Sequence, residues 1–120
     1  MSPQSGPTER VQSYYQHVDA ESNDELFALF ADDIVYHRPG HELIEGMADF
    51  ERFYREVRNL TDGSHDLASV INNDDVVAVR GTFTGKQDGS PIEIGFADFF
   101  TFDAQGLITE RHTYTDQGSI

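Results

Sequence analysis

Residues 92–102, Ile-Glu-Ile-Gly-Phe-Ala-Asp-Phe-Phe-Thr-Phe, have the composition of one long strand with a carboxylic acid on its apolar face. Side chains alternate between the two faces of a strand, so Phe96 and Phe100 should share the face of Asp98, and Phe99 should point the other way. Ionising a carboxyl group among phenylalanines is costly. We therefore expect Asp98 to be ion-paired, protonated or turned towards a polar cavity.

Length and composition predict one domain. The chain has 120 residues and no cysteine, which excludes disulfides and thiolate chemistry. We expect residues 1–7 to be a flexible N-terminus and residues 8–120 to form a single domain. No basic segment leads into an apolar stretch, and no apolar run is long enough to cross a bilayer, so a cytoplasmic protein without membrane contact is expected.

The charge balance is strongly acidic. Asp and Glu number 22 against 8 Lys and Arg, a net charge of −14 at pH 7, and the only lysine is Lys86. Such a surface repels nucleic acid and anionic membranes, so neither is an expected partner. The acidic residues are spread along the chain, which suits a salt-rich cytoplasm where screening removes the self-repulsion. We hypothesise a halophilic source.

The first half of the chain has helical periodicity. Thr8 is a candidate N-cap for a first helix, Ser22-x-x-Glu25 is a capping box that predicts a second helix reaching Phe30, and a third follows Gly46. A short strand is expected between the second and third helices, at residues 34–38. The apolar stripes of the first and third helices are Val11, Tyr14, Tyr15 and Val18, and Phe50, Phe53, Tyr54 and Val57.

The second half of the chain has the alternation of strands. Four strands are expected, at about 64–71, 76–84, 92–102 and 107–115, divided by turn-forming residues. Helices followed by an antiparallel meander predict an α+β fold, with three helices packed on one curved antiparallel sheet. The mouth of such a cone is a natural ligand pocket.

Several landmarks keep their spacing across loops as well as core segments. They are Tyr14-x-x-x-Val18-Asp19, Ala31-Asp32-Asp33, Pro39, Gly46 before Phe53-Tyr54, Asp88-Gly89, Phe96-Ala97-Asp98-Phe99, Phe102-Asp103, Gly106-Leu107-Ile108 and Tyr114. In this layout the chain resembles the ketosteroid isomerases from about Val11 to Asp116. More broadly it resembles the nuclear transport factor two-like superfamily, a cystatin-like fold that also contains the SnoaL-like polyketide cyclases.

The resemblance implies site residues. Tyr14 matches the oxyanion-hole tyrosine of the isomerases, and Asp98 matches the acid that stays neutral beside it and donates a hydrogen bond. Tyr54 matches a supporting pocket tyrosine. The pattern breaks before Pro39, where the isomerases have an aspartate base and this chain has Arg38, which cannot accept a proton. A catalytic role for Tyr14 and Asp98 would then need another proton acceptor.

His37 is the titratable neighbour of Arg38, so it is a candidate catalytic group. Adjacent strand residues point to opposite faces, so only one of the two should face the pocket unless Pro39-Gly40 twists the strand end. Arg111 matches an inward-facing position of the isomerases and could pair with Asp98, keeping it ionised. The candidate ligand-binding residues are Arg38, Tyr54, Phe96, Phe100 and Arg111.

Other kinds of site are disfavoured. His37-x-x-x-His41 with Glu42 and Glu45 would need a helix to bind a metal, and Pro39-Gly40 argues against one, so no metal site is expected. No glycine-rich phosphate loop is present, and we expect no cofactor. Limonene epoxide hydrolases use an Asp-Arg-Asp set. Here Arg80 occupies a comparable strand, but Thr82 and Thr113 stand where carboxylates would be needed.

Two functions are compatible with the sequence. One is a divergent isomerase, lyase or cyclase in which Asp98 and Tyr14 polarise the oxygen of an apolar carbonyl compound and His37, or a substrate group, handles the proton. The other is a noncatalytic protein that binds a small organic anion through Arg38 and Arg111; an adaptor with a self-filled pocket is a third reading. An outward Phe99 also predicts a homodimer through the outer sheet face, as is common in the family.

The acidic surface predicts salt-dependent stability. We expect the melting temperature to rise between low-salt and molar KCl, because counterions screen the repulsion among 22 carboxylates. Circular dichroism melts across a KCl series measure this. A melting temperature indifferent to salt would contradict the halophilic hypothesis.

Overall fold

The computed structural model describes residues 6–117 as helices packed on one face of a six-stranded sheet. Residues 1–5, and with them most of the predicted flexible N-terminus, lie outside the described part, as do residues 118–120. No helix within residues 6–117 is long and apolar enough to cross a membrane. The elements in chain order are α1 Pro7–Ala20, α2 Asn23–Phe27, β1 Phe30–His37, β2 Ile44–Glu45, α3 Met47–Arg52, a π-helical turn Phe53–Val57, β3 Leu60–Asn73, β4 Val76–Gln87, β5 Ser90–Phe102 and β6 Ile108–Thr115.

Helix α1 begins earlier than predicted. Gly6, not Thr8, is its N-cap, and Pro7 occupies the first helical position. Proline suits that position because its missing N–H would have no partner there. The predicted stripe is confirmed, since the residues that α1 buries are Val11, Tyr14, Tyr15 and Val18.

Helix α2 is shorter than its sequence pattern suggests. Ser22 is the N-cap but its side chain makes no capping hydrogen bond, so the predicted capping box does not form. The helix ends at Phe27, and β1 starts at Phe30 rather than at Ile34. Phe30 pairs with Ile108 of β6, so tertiary strand pairing overrides the local helical preference.

Helix α3 changes its winding before it ends. The N–H of Arg58 donates to the carbonyl oxygen of Phe53 at 2.8 Å, a bond from i+5 to i that closes the π-helical turn. The wider turn rotates the end of the predicted stripe out of the core. Phe50 and Phe53 are buried as expected, whereas Val57 is exposed.

The sheet has the strand order β2-β1-β6-β5-β4-β3. Strands β3 to β6 form the predicted antiparallel meander, and β3, β4 and β5 extend beyond their predicted bounds. The sheet is nevertheless mixed, because β1 pairs in parallel with β6, the last strand of the meander. The two-residue strand β2 was not predicted. The sheet is open, which leaves a mouth between its inner face and the helices, as expected for an α+β cone.

The alternation along β5 is confirmed. Ile94, Phe96, Asp98 and Phe100 are buried on the inner face, and Phe99 is 43% exposed on the outer face. Strand pairing places Phe99 in a row that crosses the sheet. We call it the outer row, and its members are Ile71, Ala78, Phe99, His112 and His37.

The homodimer remains a prediction, and the exposed side chains around the outer row are where its interface is expected. Phe99 packs edge-on against Tyr114, which is 52% exposed, and the rings of His37 and His112 stack at 4.3 Å. Contiguous exposed apolar side chains of this kind often mark a protein–protein interface. The protein is therefore expected to be a dimer that the double variant Phe99→Ser/Tyr114→Ser converts to a monomer.

Light scattering after size-exclusion chromatography measures the mass. Val57→Ser, which changes an exposed apolar side chain on the helical side, is the matched control and should leave the mass unchanged. A monomeric native protein, or an unaltered mass in the double variant, would rule out this interface.

Candidate functional site

Asp98 is the centre of the inner face and forms an ion pair. Its Oδ2 atom lies 2.9 Å from Nη2 of Arg111, which reaches it from the neighbouring strand β6. The hydroxyl of Tyr15 donates to the same oxygen, and Oγ1 of Thr113 donates to Oδ1 at 2.5 Å. The carboxylate is 1% exposed, so all of its charge is compensated by protein groups.

These partners decide the protonation state of Asp98. Burial on its own raises the pKa of this carboxyl, but the charge of Arg111 and hydrogen bonds from Arg111, Thr113 and Tyr15 outweigh it and hold the pKa below the usual value. Asp98 is therefore a carboxylate, which accepts hydrogen bonds and cannot donate one. The neutral donor that the isomerase resemblance implied is not present here.

Tyr14 has different partners from those expected. Nη1 of Arg111 donates to the hydroxyls of Tyr14 and Tyr54, the second at 2.9 Å, and these two hydroxyls are hydrogen-bonded to each other. Within residues 6–117, no hydrogen bond joins Tyr14 to Asp98, whereas its neighbour Tyr15 donates one. Burial raises the pKa of Tyr14 well above its usual value despite the charge of Arg111, so Tyr14 remains a protonated phenol.

Strand alternation separates His37 from Arg38 as predicted. Arg38 is buried on the inner face, where Nη1 donates to the hydroxyl of Tyr36 at 2.8 Å. His37 lies on the outer face, 3.2 Å from Glu110 and stacked on His112. The His37 ring is therefore not part of the inner cavity, because Pro39-Gly40 does not twist it to the inner side, and its position gives no support to a proton-handling role there.

Tyr36 links Arg38 to the ion pair and was not among the predicted site residues. Its hydroxyl lies 3.1 Å from Oγ1 of Thr113, which in turn donates to Asp98. Burial raises the pKa of Tyr36, but the charges of Arg111 and Arg38 outweigh it and bring the pKa below the usual value. The alternation that turns Arg38 inward also turns Tyr36 inward, so the sequence contained the signal.

A cavity opens over this network. It lies at the mouth of the cone, and its lining residues are Tyr14, Arg38, Arg58, Leu60, His65, Phe83, Ile94, Phe96, Asp98, Arg111 and Thr113. The centre of a water molecule can reach about 30 Å³ of it, within about 370 Å³ of empty space that includes the open mouth. The inner part therefore has room for about two water molecules.

The predicted ligand-binding residues divide into two groups. Arg38, Phe96 and Arg111 line the cavity. Tyr54 and Phe100 are not part of its lining: Tyr54 bonds to Tyr14 and Arg111, and the ring of Phe100 packs against that of Tyr14 at 5.6 Å. These two residues support the lining from behind. Arg58 and His65 are lining residues that the sequence reasoning missed.

Comparison with known proteins agrees with this architecture. Residues 11–111 match the family model of the SnoaL-like domain. The chain belongs to the SnoaL-like domain family. A search of curated proteins found no significant match for this SnoaL-like domain.

Solved structures share the fold of this SnoaL-like domain at low identity. A proposed SnoaL-like polyketide cyclase from Jannaschia sp. CCS1 superposes with a TM-score of 0.82 at 17% identity, covering 97% of this chain and 90% of that one. An LEH-like epoxide hydrolase of M. tuberculosis gives a TM-score of 0.79 at 20% identity, covering 92% of this chain and 82% of that one. SalBIII, an epoxide hydrolase/cyclase-like enzyme of pyran ring formation in salinomycin, gives 0.79 at 18%, covering 95% of each chain.

The buried ion pair predicts a pH-dependent stability. Because the pKa of Asp98 is lowered in the folded state, its stabilising contribution is present above the unfolded pKa of about 3.9 and is lost as pH falls through the folded value. Asp98→Asn leaves the Arg111 charge buried and unpaired, which costs about 3–5 kcal/mol. Urea unfolding at neutral and acidic pH measures both effects.

Asp66→Asn removes an exposed carboxylate and is the matched control, with an expected change within about 0.5 kcal/mol. The loss in Asp98→Asn should shrink as the pH approaches the folded pKa. A loss of the same size at every pH would show that the carboxylate charge is not what stabilises the fold.

Proposed function

We propose that this SnoaL-like domain binds a small organic anion in the cavity at the mouth of the cone. The observation that carries the proposal is the charge of the lining, which contains three guanidinium groups, of Arg38, Arg58 and Arg111, and one carboxylate, of Asp98. The chain as a whole carries −14, so positive charge is concentrated in its cavity. Such an arrangement focuses an attractive field on an entering anion.

The ion pair determines which arginines would meet the ligand. Asp98 compensates Arg111, so Arg38 and Arg58 are the lining arginines that this carboxylate does not neutralise. Nη1 of Arg58 donates to the carbonyl oxygen of Leu60 at 3.2 Å, and its guanidinium stands 5.8 Å from the centre of the Tyr54 ring. Burial lowers the pKa of Arg58, yet a guanidinium stays charged at neutral pH.

The other lining residues indicate what the uncharged part of the ligand is like. Leu60, Phe83, Ile94 and Phe96 supply apolar surface beside the arginines. A small carboxylate or enolate with a short apolar portion would satisfy both kinds of surface. The narrow interior favours a compact ligand over a polycyclic one.

A catalytic variant of this function is favoured by Tyr14. Tyr14 lines the cavity and its hydroxyl keeps its proton, so in this variant the phenol donates to the oxygen of a carbonyl compound bound beside Arg111. Structural neighbours described as polyketide cyclases or as epoxide hydrolase/cyclase-like enzymes fit an isomerase, lyase or cyclase reaction. In this variant Asp98 holds Arg111 in place and does not itself act as an oxyanion donor.

An epoxide hydrolase of the Asp-Arg-Asp type finds little support. Arg80 is exposed and donates to Ser69 on the neighbouring strand instead of facing the cavity. Thr113, at a position where a second carboxylate would be needed, donates to Asp98. The single carboxylate of the lining is engaged in an ion pair.

The binding proposal is tested with small carboxylates such as butyrate, acetoacetate and 2-oxobutyrate, by thermal shift and calorimetry. Arg38→Met and Arg58→Met should each weaken binding about 10- to 100-fold, because a charge-assisted hydrogen bond contributes about 1.5–3 kcal/mol. Arg80→Met changes an exposed arginine of the same sheet and is the control.

Neutral analogues of the same shape, such as butyramide, should bind at least about tenfold more weakly than the acids. Equal binding of acid and amide, or equal losses in Arg80→Met and Arg38→Met, would contradict an anion site. Product formation followed by proton NMR distinguishes the catalytic variant from simple binding.

A further inference from the structure

His65 of β3 and Asp19 of α1 form a pair at the edge of the cavity. Nδ1 of His65 lies 2.5 Å from Oδ1 of Asp19, and the backbone N–H of His65 donates to Oδ2 of the same carboxylate at 2.9 Å. Asp19 therefore holds both the ring and the backbone of His65. The two contacts fix the rotation of the imidazole about its side-chain bonds.

This geometry decides which ring nitrogen is free. A carboxylate only accepts hydrogen bonds, so a neutral His65 ring carries its proton on Nδ1 and has its lone pair on Nε2. Within residues 6–117, Nε2 makes no hydrogen bond, and the ring lines the cavity. The rings of Tyr15, Phe83 and Phe96, at 4.9, 4.9 and 5.5 Å, enclose the imidazole.

The surroundings keep His65 uncharged near neutral pH. Burial lowers the pKa of the imidazole, and the charges of Arg58 and Arg111 lower it further, while the hydrogen bond and charge of Asp19 oppose them. The net direction is downward. The group facing the cavity is therefore a neutral base rather than an imidazolium.

We propose that His65 is the general base of this cavity and that Asp19 is its positioning residue. The arrangement supplies the proton acceptor that Arg38, directly after β1, cannot provide. A base held by a carboxylate, with its other nitrogen directed at the ligand space, is the arrangement that proton abstraction requires. The inference deepens the proposed function and rests on it, since the ligand must first bind beside the arginines.

The substrate class follows from the base on one side of the cavity and the arginines and Tyr14 on the other. It is a small keto acid or β-dicarbonyl anion with a C–H bond next to a carbonyl group. Nε2 of His65 takes that proton, the C–H electron pair moves into the C–C bond, and the carbonyl π pair moves onto oxygen to form an enolate. Tyr14 and the arginines stabilise the enolate oxygen, and the imidazolium then returns the proton to carbon, so no further reactant is needed.

The first test is proton–deuterium exchange at carbon. Acetoacetate and 2-oxobutyrate are incubated with the protein in D₂O, and loss of the signal of the protons beside the carbonyl is followed by NMR. The protein should accelerate exchange over buffer, and His65→Gln should lower that rate by about 10²–10⁴-fold. The dissociation constant from calorimetry should change by less than about threefold, because Gln keeps the cavity polar and leaves the arginines in place.

The positioning role of Asp19 has its own readout. The exchange rate should rise with pH and level off above the pKa of His65, as measured from its ring protons by NMR. In Asp19→Asn the loss of the charge that raises this pKa should shift the rising limb to lower pH and reduce the plateau. His17→Gln, a change to a histidine of α1 outside the cavity lining, is the control and should leave the profile unchanged.

Nitrogen NMR of the ligand-free protein gives an independent check. At mildly alkaline pH the His65 ring should show the proton on Nδ1. A proton on Nε2, or a pKa that leaves His65 charged at neutral pH, would overturn the proposal. Binding of a probe without accelerated exchange would overturn it while leaving anion binding intact, and absence of binding by both probes would contradict the proposed function as well.

Discussion

The protein depends on one carboxylate that is kept charged in an apolar interior. Asp98 sits among phenylalanines, and a charge in that position is tolerated only because a guanidinium, a phenol and a threonine hydroxyl replace the lost water. Arg111 then organises the surrounding phenols from the other side. The inner face of the sheet is therefore a connected polar network, and the cavity chemistry is built on it.

This network gives the tyrosine and the aspartate of the isomerase-like arrangement different partners. The isomerase pattern pairs a phenol with a neutral acid, and both residue types are present here at the expected positions. Arg111, which points inward from β6, makes Asp98 its counter-ion and donates a hydrogen bond to the Tyr14 hydroxyl. Tyr15 and Thr113 donate the other hydrogen bonds to the carboxylate. In the proposed function Tyr14 and Asp98 support anion recognition, because one strand position supplies a permanent cation.

Strand and helix periodicity predicted which face each residue occupies. Phe96, Asp98 and Phe100 face inward and Phe99 outward, and Arg38 is separated from His37, because alternation is a local property of the chain. The choice of partner is not local. Tyr14 and Tyr15 share one buried helix face, and only the packed structure decides that Tyr15 meets Asp98 while Tyr14 meets Arg111. For the same reason the pairing of Phe30 with β6 and the contact between Asp19 and His65 lay outside the reach of pattern reading.

The π-helical turn at Phe53–Val57 gives the cavity a dependence on chain length. A turn closed between Phe53 and Arg58 contains one residue more than an α-helical turn, so it acts as a built-in insertion at the end of α3. Without that extra residue the helix would continue with ordinary winding, and the side chains after it would be rotated by about 100° around the axis. Arg58 is the first residue beyond the turn and lines the cavity, so we expect its place in the wall to depend on where the turn ends. One of the cavity's positive charges is thus encoded by a residue count rather than by residue identity alone, and a single-codon deletion in this segment would remove that charge from the cavity with the arginine codon intact.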